Sequence, residues 1–425
     1  MTDKVLSSSN LRLLLLYACQ GFPYGFQSRI LPILFREWNI SYRNISLSNL
    51  AYLPWAARPF VAAFIEDLGE HVFLNVLLIY ATLQFVIAVM VLCRFPTSLQ
   101  ITLLTSNAVA MMYDIWVDKW AIKLRRSSQG SDMDLANVIQ VVGYKLGAML
   151  SGSVLLYISV HLLSQNIPLY YGLVLSPIVG GVLTFVLYFF VRRDLDPIGA
   201  KIGNDKETNK TVMSRDNISR IIFKHITKNL LFYALILTYK SGESIGDNMF
   251  ISFLKHDGMN VKIISGISAW NDLIGILGSL VMSQSSVLIR HKDKILADKE
   301  ILMKALALNV LPQIMRCLVV VNASFRTVPA VIAVTSIEHF IGGALTVALF
   351  NYMFSSTITS IEGTHYSVLA CIEVLGKLIF GSLAGTLVDA KGFSWTFAFA
   401  VVLSLVPVIA LSITVSNNKN KEHSS

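Results

Sequence analysis

The chain has 425 residues, 54% of them hydrophobic and 14% charged, with a mean hydropathy of +0.61. A soluble domain carries about 25% charged residues, so this composition excludes an ordinary soluble protein and points to a membrane. The net charge of +9 invites a nucleic-acid reading, which the placement of the charges removes.

Runs of about 20 apolar residues predict twelve spans, at 11–35, 47–66, 72–92, 99–123, 135–160, 168–191, 227–253, 263–289, 302–322, 328–355, 363–388 and 393–415. The expected fold class is therefore an all-α membrane protein of twelve transmembrane helices in two pseudo-symmetric six-helix bundles. The halves are 1–191 and 227–425, with a cytoplasmic linker at 192–226 between them. Of the 35 Lys and Arg, 21 fall in segments on the side of the N-terminus and 7 in the opposite loops. By the positive-inside rule both termini are cytoplasmic, so the basic charge is mostly topological and no nucleic acid is called for. The start "MTDKVLSSSN" lacks a cleavage site, so the first span is read as uncleaved.

Span one, "YACQGFPYGFQSRILPILF", holds Gly21, Pro23, Gly25 and Pro32, which interrupt a helix. Freed backbone groups are tolerated only against protein or a cavity, and the same span carries Tyr24, Gln27 and Arg29. The plain alternative is a kink at Pro23 with neighbours packed on the glycines. Sequons at Asn39, Asn44 and Asn322 lie in short outside loops and are expected to be unmodified. Cys19, Cys93, Cys317 and Cys371 show no paired spacing, so no disulfide framework, metal site or cofactor is expected.

Further charges follow in chain order: Arg58 in span two, Asp114, Asp118 and Lys119 in four, and Lys145 in five. Span seven has Lys240, Glu243 and Asp247; eight has Asp272; ten has Glu338 beside His339; eleven has Glu373 and Lys377. Each would cost about 2.5–3.5 kcal/mol at the bilayer centre on insertion scales, so these spans should line an interior cavity. Spans three, six and twelve carry none inside, and nine carries only Arg316, expected to snorkel to the outer end. Those four spans are expected to face lipid. Asp114 and Asp118 are four apart, as are Glu373 and Lys377, so each pair shares a helix face. Two carboxylates together in low dielectric tend to share a proton, which suits proton coupling. A structural ion-pair network stays open as the rival, above all for Glu373 and Lys377. Seven interior cations against seven anions leave the sign of a substrate undecided. The long polar segment from Arg192 to Lys228 reads as a solvated connector with one amphipathic stretch near 218–226.

The halves look related. "IQVVGYKLGAMLSG" in span five aligns with "IEVLGKLIFGSLAG" in span eleven, and Gly21-x-x-x-Gly25 of span one is matched by Gly242-x-x-x-Gly246 of span seven. Both matches pair a span with the sixth after it, the repeat of a two-half transporter.

Five stretches together carry a family resemblance. "QGFPYGFQSRILP" with "LAYLPWAARPF" resembles the first two spans of the acetyl-coenzyme A transporter and muropeptide permease branch of the major facilitator superfamily. "YDIWVDKW" resembles its fourth span, and "LTYKSGESIGDNMF" and "GTHYSVLACIEVLGKLIFGSLAGTLVD" are similar to its seventh and eleventh. The resemblance covers both halves. It implies a major facilitator fold and carriage of acetyl-CoA or a related anionic or peptide-like metabolite. Arg58 stands where the family has a span-two lysine. Asp114 and Asp118 match its span-four acids, Lys240 and Glu243 its span-seven pair, and Glu373 and Lys377 its span-eleven pair. The chain departs at "FIEDLGEH" (64–71), which lacks the superfamily's basic loop, and at "VAA" (61–63), which replaces Trp-Ala-Pro. Both departures bear on the cytoplasmic gate.

The expected function is a secondary active or facilitative transporter working as a monomer in the lipid bilayer. Its partners would be a small-molecule substrate and protons as coupling ion. Substrate contacts are assigned to Arg29, Arg58, Lys145, Lys240, Lys377, Tyr24 and Gln27. Coupling or gating is assigned to Asp114, Asp118, Glu243, Asp247, Glu338, His339 and Glu373. Two rivals are a membrane-embedded acyl-transfer enzyme with His339 beside Glu338 as base, and a non-transporting sensor with a carrier fold. No serine or cysteine motif accompanies His339, which weighs against the enzyme.

Overall fold

The computed structural model describes residues 8–65, 70–127, 133–162, 169–198, 215–288, 294–358 and 361–422. Every regular element among them is helical. The acidic loop after span two and the middle of the linker (199–214) fall outside the described residues in part and in whole.

Five spans are single helices: Glu70–Leu92, Pro96–Ser127, Val261–Leu288, Lys294–Val321 and Val328–Ser355. Spans eleven and twelve run together as Glu362–Glu422, interrupted at Gly392 with φ of 80°. Glycine adopts that left-handed value without a Cβ clash. The other spans are broken. Span one is Ser8–Gly25, a π turn at Phe26–Ile30, then Leu31–Glu37. Span five repeats this with Met133–Met149, a π turn at Leu150–Val154, and Leu155–Leu162. Span two is built of Tyr42–Leu47, a 3₁₀ stretch Ser48–Ala57 around Pro54, and Arg58–Ile65. Pro54 brings no backbone N–H, which favours the local break. Span six is Leu169–Leu173 and Leu175–Ile198, and span seven is Leu230–Thr238 and Ser241–His256.

Seven described helices are long and apolar enough to cross a membrane, or eight with the bent pair around Asn229, and one of the seven, Thr364–Ser412, contains the Gly392 break. Spans one, two and four are not among them; their described helices carry polar residues that lipid tolerates only where they face protein or a cavity. The chain is a multi-pass membrane protein.

Three apolar cores explain its shape. One unites the far ends of all twelve spans, with Leu34, Ile45, Val91, Leu99, Leu156 and Leu173 from the first half and Phe253, Ile264, Val320, Val331, Val388 and Phe397 from the second. The other two lie at the end where the described chain starts and stops, and each belongs to one half alone: Leu13, Ile65, Trp116 and Val191 in one, Tyr233, Leu302, Met353 and Leu411 in the other. The bundles are thus sealed together at one end and separately packed at the other. Spans three, six, nine and twelve turn large apolar side chains outward, including Ile79, Phe190, Leu308 and Val402, as lipid-facing helices should.

The repeat has a packing counterpart. A Cβ on Gly143 would meet the Leu14 carbonyl of span one, and one on the aligned Gly376 would meet the Leu237 carbonyl of span seven. Close backbone approach at equivalent crossings is what both glycines permit.

Candidate functional site

The N-terminal half gathers its charges around Arg58, at the start of the last helix of span two. Its guanidinium lies 2.6 Å from Asp114 and also pairs with Asp118, both from span four. Gln20 donates to Asp114 at 2.6 Å and the Tyr17 hydroxyl to Asp118 at 2.6 Å, both from span one. Gln140 of span five adds a bond of 3.4 Å to Asp118. Four spans therefore meet on one cation and two carboxylates.

In the second half the helix of span seven breaks at Tyr239–Lys240, and a new helix begins at Ser241. Glu243, in its first turn, accepts from Lys240 at 2.5 Å and from Asn309 of span nine at 3.2 Å. Tyr239 donates to Glu373, which also pairs with Lys377. The Tyr239 ring lies 5.9 Å from each of the Lys240 and Lys377 ammonium groups. One turn further, Asp247 binds Arg316 at 2.8 Å, and Arg316 also pairs with Glu338 of span ten. Gln313 donates to Glu338 at 3.1 Å.

Arg316 corrects an expectation. It does not snorkel outward; it is 1% exposed, turned from a lipid-facing span into the bundle. Reaching two carboxylates outweighs the distance to water, because a buried charge survives only when paired. Gly246 makes this fit, since a Cβ there would collide with Nη1 of Arg316. Gly242 admits the Ala400 carbonyl in the same way. The charged stretch of span seven therefore combines close packing at its glycines with a bend just before them.

Between the halves, Arg29 pairs with Asp272, which also accepts from Ser153 at 3.3 Å. Lys145 donates to the Gly275 carbonyl and to Ser279, each at 2.8 Å. Among the described residues it has no carboxylate within ion-pair distance. Tyr24 is exposed, with the rings of Tyr52 and Tyr144 at 5.8 and 5.4 Å.

The structure brings together most of the expected residues. Gln27 is placed differently from its neighbour Tyr24. It is buried, its Oε1 accepts from Asn107 at 2.8 Å, and its Nε2 is buried without a partner among the described residues. Glu338 and His339 do not form the dyad that the enzyme reading needs. Glu338 turns to Arg316 while His339 Nδ1 sits 2.8 Å from its own helix at the Thr335 carbonyl. Adjacent residues of a helix point about 100° apart, so this separation follows from the backbone. The residues missed from sequence are Arg316, Gln20, Tyr17, Asn309 and Gln313. A polar residue among apolar ones was visible at each position; which of them turn inward depends on helix rotation, which one sequence does not fix.

No protein-family model matches the sequence. The arrangement is the major facilitator fold. The solved structure of the nucleoside transporter NupG aligns with a TM-score of 0.68 over 96% of this chain and 99% of its own, at 14% identity. An aspartate-to-alanine mutant of the same transporter aligns at 0.69 over the same shares, with 13% identity. Identity this low makes the likeness one of fold.

Proposed function

We propose that this protein is a transporter that moves a small organic solute across a membrane by alternating access. The two halves, 1–191 and 227–425, would rock about the central charges. The observation that carries this reading is the partition of the apolar cores. One core closes both halves at the far end, while two separate cores leave the other end free to part. Between them lie charges that lipid would not tolerate. With the termini cytoplasmic, as the basic loops favour, this is an inward-facing arrangement.

The finer reading is a metabolite with an anionic group, such as acetyl-CoA. It rests on the sequence resemblance and on Lys145, whose ammonium among the described residues donates to neutral oxygens and pairs with no carboxylate. Asp114 with Asp118, and Asp247 with Glu338, each share one guanidinium between two carboxylates. A carboxylate beyond charge balance in low dielectric takes up a proton readily, which supports proton coupling. A nucleoside is the second reading. The fold neighbours carry nucleosides by name, and the rings around Tyr24 offer a stacking surface for a base.

Purified protein in proteoliposomes tests all of this. Labelled acetyl-CoA and a labelled nucleoside are offered separately, with and without an inward proton gradient. Saturable uptake of one, lost in Lys145→Gln, supports the corresponding reading. Chemical conversion of substrate by detergent-solubilised protein, with no second compartment, would support an enzyme instead.

A further inference from the structure

The helix Arg215–Lys228, which enters span seven, lies in the connector where the sequence indicates an amphipathic stretch near 218–226. It is bent 85° from span seven, with the break at Asn229. A helix at right angles to a membrane-crossing span runs along the membrane plane, at the depth where that span begins.

One of its faces is held by the protein. Ile226 packs against the core of the C-terminal half. The Ile358 N–H donates to His365 Nδ1 at 3.1 Å, which leaves the proton of His365 on Nε2, 2.7 Å from the Tyr233 hydroxyl. Tyr233 in turn donates to His225 Nδ1 at 2.9 Å. This directional chain ties the helix to spans seven and eleven.

The other face is open. Arg220, Lys224, Thr227 and Lys228 are exposed, and Phe223 is 69% exposed. On a helical projection the three cations form a stripe about 80° wide, with Phe223 about 60° from Arg220. Just past the bend, Leu230 and Leu231 are exposed too, continuing the apolar surface into span seven. A basic stripe flanked by an unburied phenylalanine, in the membrane plane, is complementary to a headgroup layer: the cations meet phosphates and the ring reaches the acyl boundary.

We propose that the Arg215–Lys228 helix docks on the anionic phospholipid headgroups of the adjacent leaflet, with Phe223 as its apolar anchor. The hydrogen-bond chain through His225, Tyr233 and His365 then carries the helix's position to the two spans that bear Lys240, Glu243, Glu373 and Lys377. The lipid assignment does not depend on what the cavity carries.

Hydrogen–deuterium exchange on the full-length protein in nanodiscs tests it. Neutral phosphatidylcholine discs are compared with discs holding about a third phosphatidylserine, at about 0.1 M salt. The helix should exchange about tenfold more slowly in the anionic discs, and about 1 M salt should remove the difference in the wild-type protein. The combined Arg220→Gln, Lys224→Gln, Lys228→Gln variant should lose the lipid-dependent protection while exchange in span ten stays unchanged. Equal exchange in both lipids would overturn the proposal. So would protection that survives high salt, or protection that appears only on adding a soluble protein fraction.

Discussion

In the N-terminal half, Arg58 reaches Asp114 and Asp118 while 29% of its side chain stays accessible. In the C-terminal half, Arg316 reaches Asp247 and Glu338 with only 2% accessible. The composition is the same, one guanidinium and two carboxylates, and each cluster has one accessible carboxylate, but only the first has an accessible cation. In the first cluster the cation and Asp118 are reached; in the second only Asp247 is, with 49% of its side chain accessible. An accessible guanidinium can exchange a carboxylate for a solute or for water at modest cost, whereas a sealed one has no substitute partner. On the transport reading proposed above, the first cluster would then serve as a working contact, while the second is placed to act as a structural keystone.

The largest effect is expected from Arg316→Met. It leaves Glu338 buried and Asp247 half-buried without a counter-charge, and breaking a buried pair costs about 3–5 kcal/mol. Thermal unfolding in detergent should show the loss, and adding Glu338→Gln should recover part of it. Arg58→Met should cost less, because water reaches Arg58 and Asp118. Equal losses at the two positions would break the comparison. Next comes Gly246→Ala, whose Cβ meets the Arg316 guanidinium. Overpacking of this kind costs about 1–3 kcal/mol, and the same unfolding assay reads it. In the helix of span eight, Gly266→Ala meets nothing within 4 Å and should gain up to about 1 kcal/mol from helix propensity alone.

The first cluster is sharpened by function rather than stability. Arg58→Gln should leave a folded, monodisperse protein yet lower substrate uptake in proteoliposomes at least about tenfold, the effect of about 1.4 kcal/mol on the transport barrier. Unaltered uptake would move the working contact away from Arg58.

Much of this was legible in the residues. The scarcity of charges in spans three, six, nine and twelve already marked the helices that turn large apolar side chains outward, and the glycine steps marked close crossings in spans one, five, seven and eleven. Arg316 was misread because a single arginine near the end of an apolar span satisfies the pattern of snorkelling and of burial alike. Only the rotation of span nine, which points Asn309, Gln313 and Arg316 inward at spacings of four and three, decides between them. The π turns of spans one and five were signalled only in span one, by Pro23 and its glycines. "IQVVGYKLGAMLSG" contains no proline, and its break reflects packing against span one, where a Cβ on Gly152 would meet the Gly25 carbonyl.

The smallest effect is expected where the halves meet at the sealed end. Lys255 of span seven binds Glu37 at 2.5 Å and the Ile33 carbonyl at 3.2 Å, across the two halves. Glu37 is 43% accessible, and exposed pairs contribute about 0–1 kcal/mol, so this bond does not hold the seal. The closure rests instead on the shared apolar core around Phe253, Phe397 and Leu34. Lys255→Ala should therefore shift the balance between closed and open far ends by no more than about fivefold, roughly 1 kcal/mol. Phe253→Ala should shift it much further, since removing a buried aromatic costs about 3–5 kcal/mol. Labelling rates of a cysteine placed at Tyr24, probed from the sealed side, distinguish the two. Lys255→Ala accelerating labelling as much as Phe253→Ala would show that charge, and not the apolar core, keeps that end shut.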